Sequence, residues 1–243
     1  MKAGDKAGKR FAVFDIDGTV SRTSLYLASV HAMMRRGIIS KTDAHTIEDS
    51  LQHWLARSDD QAFEAYSRVC IEVLDKALPS IKVSAYEEVV AEVLERFGHK
   101  IYRYPRQLIA DLKAKGYLIF AVSGSEQALV SRFCLQHGFD DFIGNSFEHD
   151  GNYFTGAVGT TYKDKQIYVE ELRQKHGCIL DDSIAVGDTH GDIEMLAYVE
   201  QPIAFNPNQT LFAYAKAQGW KIVLERKNMI YELELHDGSY LLA

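Results

Sequence analysis

A lone strand signal, a long stretch of purely helical periodicity and then strict alternation of helices and strands limit the folds open to this chain. Phe11-Ala-Val-Phe14 is a short apolar run that stops abruptly at Asp15-Ile16-Asp17-Gly18-Thr19, the pattern of a strand buried on both faces whose carboxyl end carries two acids. From Ser21 to about Arg103 only helical patterns follow. Ile47, Leu51, Trp54 and Leu55 share one helical face, and Phe63, Tyr66, Cys70, Val73, Leu74 and Ala77 share another. Ser84-Ala-Tyr-Glu87 reads as a capping box opening a helix with Tyr86, Val89, Val90, Val93, Leu94 and Phe97 inward, ended by Gly98. Beyond Pro105, a first-turn proline, the pattern predicts helix 105–115 closed by Gly116, a strand from Tyr117 to Val122, and helix 125–137 closed by Gly138. Asp150-Gly151 marks a hairpin turn within Phe147 to Val158. Helix 163–176, strand Ser183 to Val186, helix 190–198, strand Ile203 to Phe205, helix 209–218 and strand Lys221 to Leu224 complete the alternation, and the tail beyond is ambiguous. The expected architecture is α/β: a Rossmann-like, doubly wound parallel sheet interrupted after its first strand by an all-helical insert.

The chain is long enough to bury a core: 243 residues, 47% apolar and 25% charged, exclude a disordered or fibrous protein. Four prolines and 17 glycines leave no room for a long flexible linker. A net charge of −7 argues against nucleic acid as a partner, since the lysines cluster only in the N-terminal MKAGDKAGKR, a segment too short and dilute for a binding tail. An anionic ligand would then need a bound metal or a placed lysine to overcome an unfavourable overall field. Cys70, Cys134 and Cys178 are odd in number and widely spaced, which predicts buried thiols in a reduced compartment, the cytoplasm. No apolar run approaches the roughly 20 residues of a membrane-spanning helix, and no signal-peptide core precedes Asp15.

Chemistry-bearing residues fall at the ends of predicted elements: Asp15 and Asp17, then Ser123-Gly124-Ser125, then Lys165, then Gly187-Asp188-Thr189-His190-Gly191-Asp192. In a parallel sheet these ends face one edge. Carboxylates converging there repel one another unless a divalent cation neutralises them, and hard oxygen ligands suit Mg²⁺. A hydroxyl from Ser123 and an ammonium from Lys165 add the donors that a phosphate-like oxyanion requires. Lys163 competes for the lysine role; Lys165 is preferred because Val169 and Leu172 follow it at +4 and +7 as a buried face. Met33, Met34, Trp54 and Phe63 read as helical core, and His190 as a solvated loop residue.

Asp15-Ile-Asp-Gly-Thr, Val-Ser123-Gly-Ser, a helix-opening Lys165 and Gly-Asp188-x-x-x-Asp192, in that order, resemble the four motifs of the haloacid dehalogenase superfamily. The insert between the first two motifs, Pro105-Arg-Gln-Leu-Ile, the hairpin near Asp150, and Ala204-Phe205-Asn206-Pro207 with Gly219-Trp220 resemble its phosphoserine-phosphatase-like branch. The likeness covers the core and matches the insert only in kind. It implies a catalytic core at 1–20 and 104–243 with a helical cap domain at 21–103, and a Mg²⁺-dependent phosphatase acting on a small phosphorylated metabolite. By the same resemblance Asp15 is the nucleophile that becomes an aspartyl-phosphate, and Asp17 the general acid and base. Asp15, Asp188 and the main-chain carbonyl of Asp17 hold the metal, while Ser123, Gly124 and Lys165 hold the phosphoryl group. Thr19 and Asp192 support these groups from behind.

Two positions depart from that pattern. Ser24 stands where the family's phosphoserine phosphatases carry a glutamate for the substrate ammonium, which argues against phosphoserine; Gly191 replaces an asparagine often found before the last aspartate. Arg22, Arg57 and Arg68 are candidate anchors for a further acidic group on a substrate. Dehalogenation is disfavoured because Asp17 supplies a second acid that dehalogenases lack. Transfer of the phosphoryl group to an acceptor other than water, as in a phosphotransferase or mutase, is an alternative within the same chemistry. A phospho-acceptor switch or a non-catalytic phosphate-binding protein is an alternative outside it.

Overall fold

The computed structural model describes residues 8–57, 59, 61–161 and 164–242. Strand β1 (Phe11–Phe14) leads into α1 (Leu25–Arg35), α2 (Lys41–Leu55), α3 (Ala62–Ala77) and α4 (Val83–Phe97). Then come α5 (Arg103–Ala114), β2 (Leu118–Glu126), α6 (Gln127–Gln136), β3 (Asp141–His149), β4 (Phe154–Gly159), α7 (Lys165–His176), β5 (Ile184–Gly187) and α8 (Ile193–Tyr198). The chain continues through β6 (Gln201–Phe205), α9 (Gln209–Gln218), β7 (Lys221–Arg226), β8 (Met229–His236) and β9 (Ser239–Leu242).

Among the described residues the strands form one sheet in the order β4-β3-β2-β1-β5-β6-β7-β8-β9. The run from β3 to β7 is parallel, whereas β4, β8 and β9 are antiparallel. Side chains of β1 alternate between two cores, which is why the strand reads as a continuous apolar run. Ala12 and Phe14 pack with Ile109 of α5 and Leu129 of α6; Phe11 and Val13 pack with Val169 of α7 and Leu211 of α9. Because β2 lies on one side of β1 and β5 on the other, the chain reverses its winding there, and the crevice of a doubly wound sheet opens at the carboxyl end of β1.

The helical insert meets the sheet at two backbone seams. Where it enters and leaves, Arg22 N donates to Lys100 O at 2.8 Å and Tyr102 N to Val20 O at 3.0 Å. On its far side Val83 N donates to Asn152 O at 2.9 Å, and Phe154 N donates to Ile81 O at 3.2 Å. Tyr86 of α4 closes that second seam, its ring 6.0 Å from Phe147 and 5.5 Å from Phe154, pairs worth about 1 kcal/mol each beyond their buried area.

Ser84 does not cap α4: the helix begins at Val83 with no side-chain cap, so Ser84 lies inside the first turn, where the Tyr86 amide already donates to Lys82 O at 3.1 Å. Leu55 and Phe63 do not face inward but are 57% and 41% exposed, since they lie at the ends of the paired helices α2 and α3. The ambiguous tail extends the sheet as the antiparallel hairpin β8–β9, tied down by Tyr240, whose hydroxyl donates to Trp220 O at 2.8 Å. Helix α5 starts before Pro105, and its N-terminal amides are capped by a distant residue: Arg103 N and Tyr104 N donate to the Glu225 carboxylate at 3.1 and 2.8 Å. All three cysteines are buried and free, as expected.

Glu126 caps α6 by accepting from Ala128 N at 2.8 Å, and burial beneath α4 pushes its carboxyl up to about 7 against the pull of the helix amides. A carboxyl raised in the fold lends stability below its unfolded value, near 4.5, and that contribution is lost as pH rises through about 7. Glu126→Gln is therefore expected to flatten the pH dependence of stability between these limits. Urea denaturation at pH 5 and pH 8 checks this: the variant should match wild type at the lower pH and exceed it at the higher.

Candidate active site

Asp15 leaves β1 with its amide donating to Val186 O at 2.9 Å, so the ladder continues one residue past the strand and delivers this carboxylate to the crevice beside β5. The chain then turns sharply, with Val20 N and Ser21 N both donating to Ile16 O at 3.0 and 2.8 Å. Gly18 sits at φ +88°, and a Cβ there would lie 2.1 Å from Asp188 Oδ2, so only glycine allows the two loops to approach. Thr19, wholly buried, donates its hydroxyl to Asp188 Oδ1 at 3.1 Å.

The loop after β5 is organised by Asp192. Its Oδ2 accepts from Asp188 N at 3.1 Å, Thr189 N at 2.9 Å and Thr189 Oγ1 at 3.2 Å, folding residues 188–192 into a tight turn. Its Oδ1 accepts from Lys165 Nζ at 2.6 Å, and the same ammonium donates to Asp15 Oδ1 at 2.6 Å. Lys165 is the first residue of α7 and is only 4% exposed; Lys163 lies outside the described residues. Asp15, Asp188 and Asp192 bring carboxylate oxygens within 4.8 Å of one another.

This acidic group carries more negative charge than one ammonium cancels. Burial pushes the Asp15 carboxyl up to about 7, against Lys165, which pulls it down. Burial likewise holds Asp188 well above the usual carboxylate range, and the charges of Asp15 and Asp192 add to it. For Lys165 burial works downward, yet the Asp15 and Asp192 carboxylates overcome it and hold the ammonium above its ordinary range. Uncompensated carboxylates in a low-dielectric crevice, all hard oxygen donors, make a donor set that fits a divalent cation. Asp192 has both oxygens occupied by donors, so Asp15 and Asp188 are the side chains with capacity left.

Asp17 stands apart from that group. One oxygen accepts from the amide of Leu25 at the start of α1, and the other accepts from Ser125 Oγ at 2.5 Å and Ser123 Oγ at 3.5 Å. Burial raises its carboxyl, favouring the protonated form. The expected residues Asp15, Asp188, Asp192, Lys165 and Thr19 thus converge in one network, and Asp17 joins Ser123 beside it. Gly124 borders open space, with no heavy atom within 4 Å of where a Cβ would stand. Ser125, assigned no role from sequence, makes the shorter contact to Asp17. The signal for it was available in principle: β2 runs on to Glu126, and strand alternation places residues 123 and 125 on one side. His190 is not merely solvated; its Nδ1 lies 3.2 Å from Asn208 Nδ2 and 3.8 Å from Glu64 Oε1 of α3. Arg22, Arg57 and Arg68 are exposed, and the Arg22 guanidinium lies 5.5 Å over the Tyr102 ring.

The sequence profile of the haloacid dehalogenase-like hydrolases matches residues 12–197, the span that carries Asp15, Asp17, Ser123, Lys165, Asp188 and Asp192. The chain belongs to that family. This hydrolase is 30% identical to a phosphoserine phosphatase of Archaeoglobus fulgidus over 135 residues, 54% of the chain and 39% of that protein. It is 21% identical to a histidinol-phosphatase of Neisseria meningitidis over 231 residues, 88% of the chain and 98% of that protein. Among solved structures, a Bordetella pertussis protein of unknown function superposes with a TM-score of 0.69 at 21% identity, covering 88% of the hydrolase and 98% of its own chain. A phospho-aspartyl intermediate analogue of phosphoserine phosphatase superposes with a TM-score of 0.61 at 19% identity, covering 90% and 95%. These likenesses bear on the fold.

Gly18→Ala is expected to force Asp188 aside and to place alanine at positive φ, costing about 1–3 kcal/mol of stability. Thermal denaturation checks this: the midpoint of the variant should fall below that of wild type.

Proposed function

We propose that this hydrolase is a Mg²⁺-dependent phosphatase of a small phosphomonoester, acting through an aspartyl-phosphate. The observation that carries the reading is the buried ammonium of Lys165, 2.6 Å from both Asp15 and Asp192, beside Asp188 at the carboxyl edge of the sheet. An ammonium in an otherwise acidic crevice is suited to receive an anion there, and the phosphatase names of the relatives support phosphate as that anion.

Asp15 forms a bond to phosphorus as the bond from phosphorus to the ester oxygen breaks, and Asp17 gives that oxygen its proton. Water then loses a proton to Asp17 and attacks phosphorus; the acyl-phosphate bond breaks, inorganic phosphate leaves, and Asp15 is restored. The raised carboxyl of Asp17 suits the first half of this cycle, and Ser125 and the Leu25 amide hold it in place. Asp15, Asp188 and the main-chain carbonyl of Asp17 would hold Mg²⁺, which when bound offsets charge on the phosphoryl oxygens. Ser123, Gly124 and Lys165 would grip the transferring group, with Asp192 fixing the lysine and Thr19 fixing Asp188.

In this reading residues 1–20 and 104–243 form the catalytic core, and 21–103 form a cap that excludes water from the crevice. Glu64 facing His190 across the mouth supports that arrangement. Phosphoserine is disfavoured as substrate because Ser24, which replaces the glutamate, is occupied as the cap of α1, accepting from Leu27 N at 3.2 Å.

The test is phosphate release from a panel of phosphorylated metabolites, with Mg²⁺ or with EDTA. Wild type should turn over at least one ester with Mg²⁺ alone, and Asp15→Asn should lose about 10³-fold or more. Asp17→Asn should lose turnover of alkyl esters and of p-nitrophenyl phosphate alike, because both need that carboxylate as base in the second step, while keeping Mg²⁺ affinity. Silence of wild type across the panel would overturn the phosphatase reading, and loss of Mg²⁺ binding in Asp17→Asn would overturn the role given to that carboxyl.

A further inference from the structure

The turn Ser123-Gly124-Ser125 arises from a break in sheet register. Val122 of β2 pairs with Ile143, but the next paired residue, Glu126, faces Asn145, so four steps along β2 match two along β3. The surplus residues arch out of the ladder, and their carbonyls need other partners. Two side chains supply them. Thr161 Oγ1 donates to Ser123 O at 2.7 Å, and Asn145 Nδ2 donates to Gly124 O at 2.7 Å. Thr161 and Asn145 are joined in turn, since the backbone Thr161 N donates to Asn145 Oδ1 at 2.7 Å and Thr161 Oγ1 lies 3.1 Å from the same oxygen. Thr161 is 2% exposed, so its bond to Ser123 O is shielded from water.

A trans peptide points its carbonyl and the following N–H in opposite directions. With Ser123 O held by Thr161, the N–H of Gly124 is turned to the other side, and a Cβ on Gly124 would meet no heavy atom within 4 Å beyond its chain neighbours. With Gly124 O held by Asn145, the N–H of Ser125 is turned onto Ser123 Oγ, which it reaches at 3.1 Å, aligning the hydroxyl beside Asp17. Thr161 also lies four residues ahead of Lys165, so one side chain ties the segment leading to the ammonium to the turn that bears the amide.

We propose that Asn145 and Thr161 are positioning residues for anion binding: they set the peptide orientation of the 123–125 turn so that the Gly124 N–H, together with Lys165, meets an oxyanion such as the transferring phosphoryl group. The inference rests on the phosphate reading of the site. Neither residue touches the acids or the reacting atoms; each acts through the turn.

The test compares Thr161→Val, Thr161→Ser and Asn145→Asp with wild type, each checked for folding by thermal denaturation. Inorganic phosphate binding is measured by calorimetry with Mg²⁺ present, and kcat and KM are measured with p-nitrophenyl phosphate. Thr161→Val, which keeps shape but loses the donor, and Asn145→Asp, which turns a donor toward Gly124 O into an acceptor, should each weaken phosphate binding about tenfold and lower kcat. Thr161→Ser, which keeps the hydroxyl, should stay within about threefold of wild type. Unchanged phosphate affinity and kcat in folded Thr161→Val and Asn145→Asp would overturn the proposal, as would a serine variant as impaired as the valine one. A wild type that binds phosphate without turning over ester would overturn the phosphatase reading while the order of binding affinities still decides this one; a wild type that does neither overturns both.

Discussion

One buried ammonium sets the terms for the whole carboxyl edge of the sheet. Lys165 stands between Asp15 and Asp192, and without it three carboxylates would share a crevice that water barely reaches. Breaking such a buried network by removing one member leaves charges uncompensated, which costs far more than a surface ion pair contributes. The loops that meet there are built to the tolerance this demands. Gly18 lets the turn after β1 touch Asp188, and Gly187 lets β5 end against Asp192, whose Cβ would stand 2.5 Å from one added at Gly187. The chain supplies too little positive charge to neutralise these acids, and its net charge of −7 makes the local excess consistent with the whole.

The helical insert depends on the same edge from above. It is sewn to the sheet at the entry seam and again at the β3–β4 hairpin, so α1 and α4, which flank the seams, are held more closely than the α2–α3 pair. The start of α1 donates its Leu25 amide to Asp17, making the placement of that carboxyl a joint property of insert and sheet. Glu64 on α3 approaches His190 at 3.8 Å with both side chains half exposed, an interaction weak enough to break at little cost.

Much of this was legible in the residues. The buried strand at 11–14, the alternation after Pro105, the insert and the ordered acids could be read from periodicity and motif spacing, because those patterns depend on neighbours a few residues apart. Where the reading failed, a distant residue had intervened. Ser84 looks like a cap but lies inside a helix that begins at Val83, whose amide is held by Asn152 O across the seam; α5 starts earlier than its proline suggests, because Glu225 receives its first amides from over a hundred residues away. Leu55 and Phe63 fit a helical face but stay exposed, Leu55 as the last residue of α2 and Phe63 at the rim of the α2–α3 contact, its ring 5.0 Å from Trp54. A strand ending at Val122 would leave Ser125 in a loop, whereas β2 runs on to Glu126 and brings its hydroxyl to Asp17.

The sequence by itself determined the class of fold, the edge at which the acids and the lysine would gather, and the family those motifs resemble, because each rests on short-range pattern and on the shared direction of parallel strands. Only the tertiary structure decided which oxygen each donor meets. The pairing of Lys165 with both Asp15 and Asp192, the turning of Asp17 toward Ser125, and the Asn145–Thr161 support beneath the 123–125 turn follow from a register break and loop closures between residues far apart in the chain. Hydrogen bonds are sensitive to tenths of an ångström and to angle, and no spacing along a sequence carries that information.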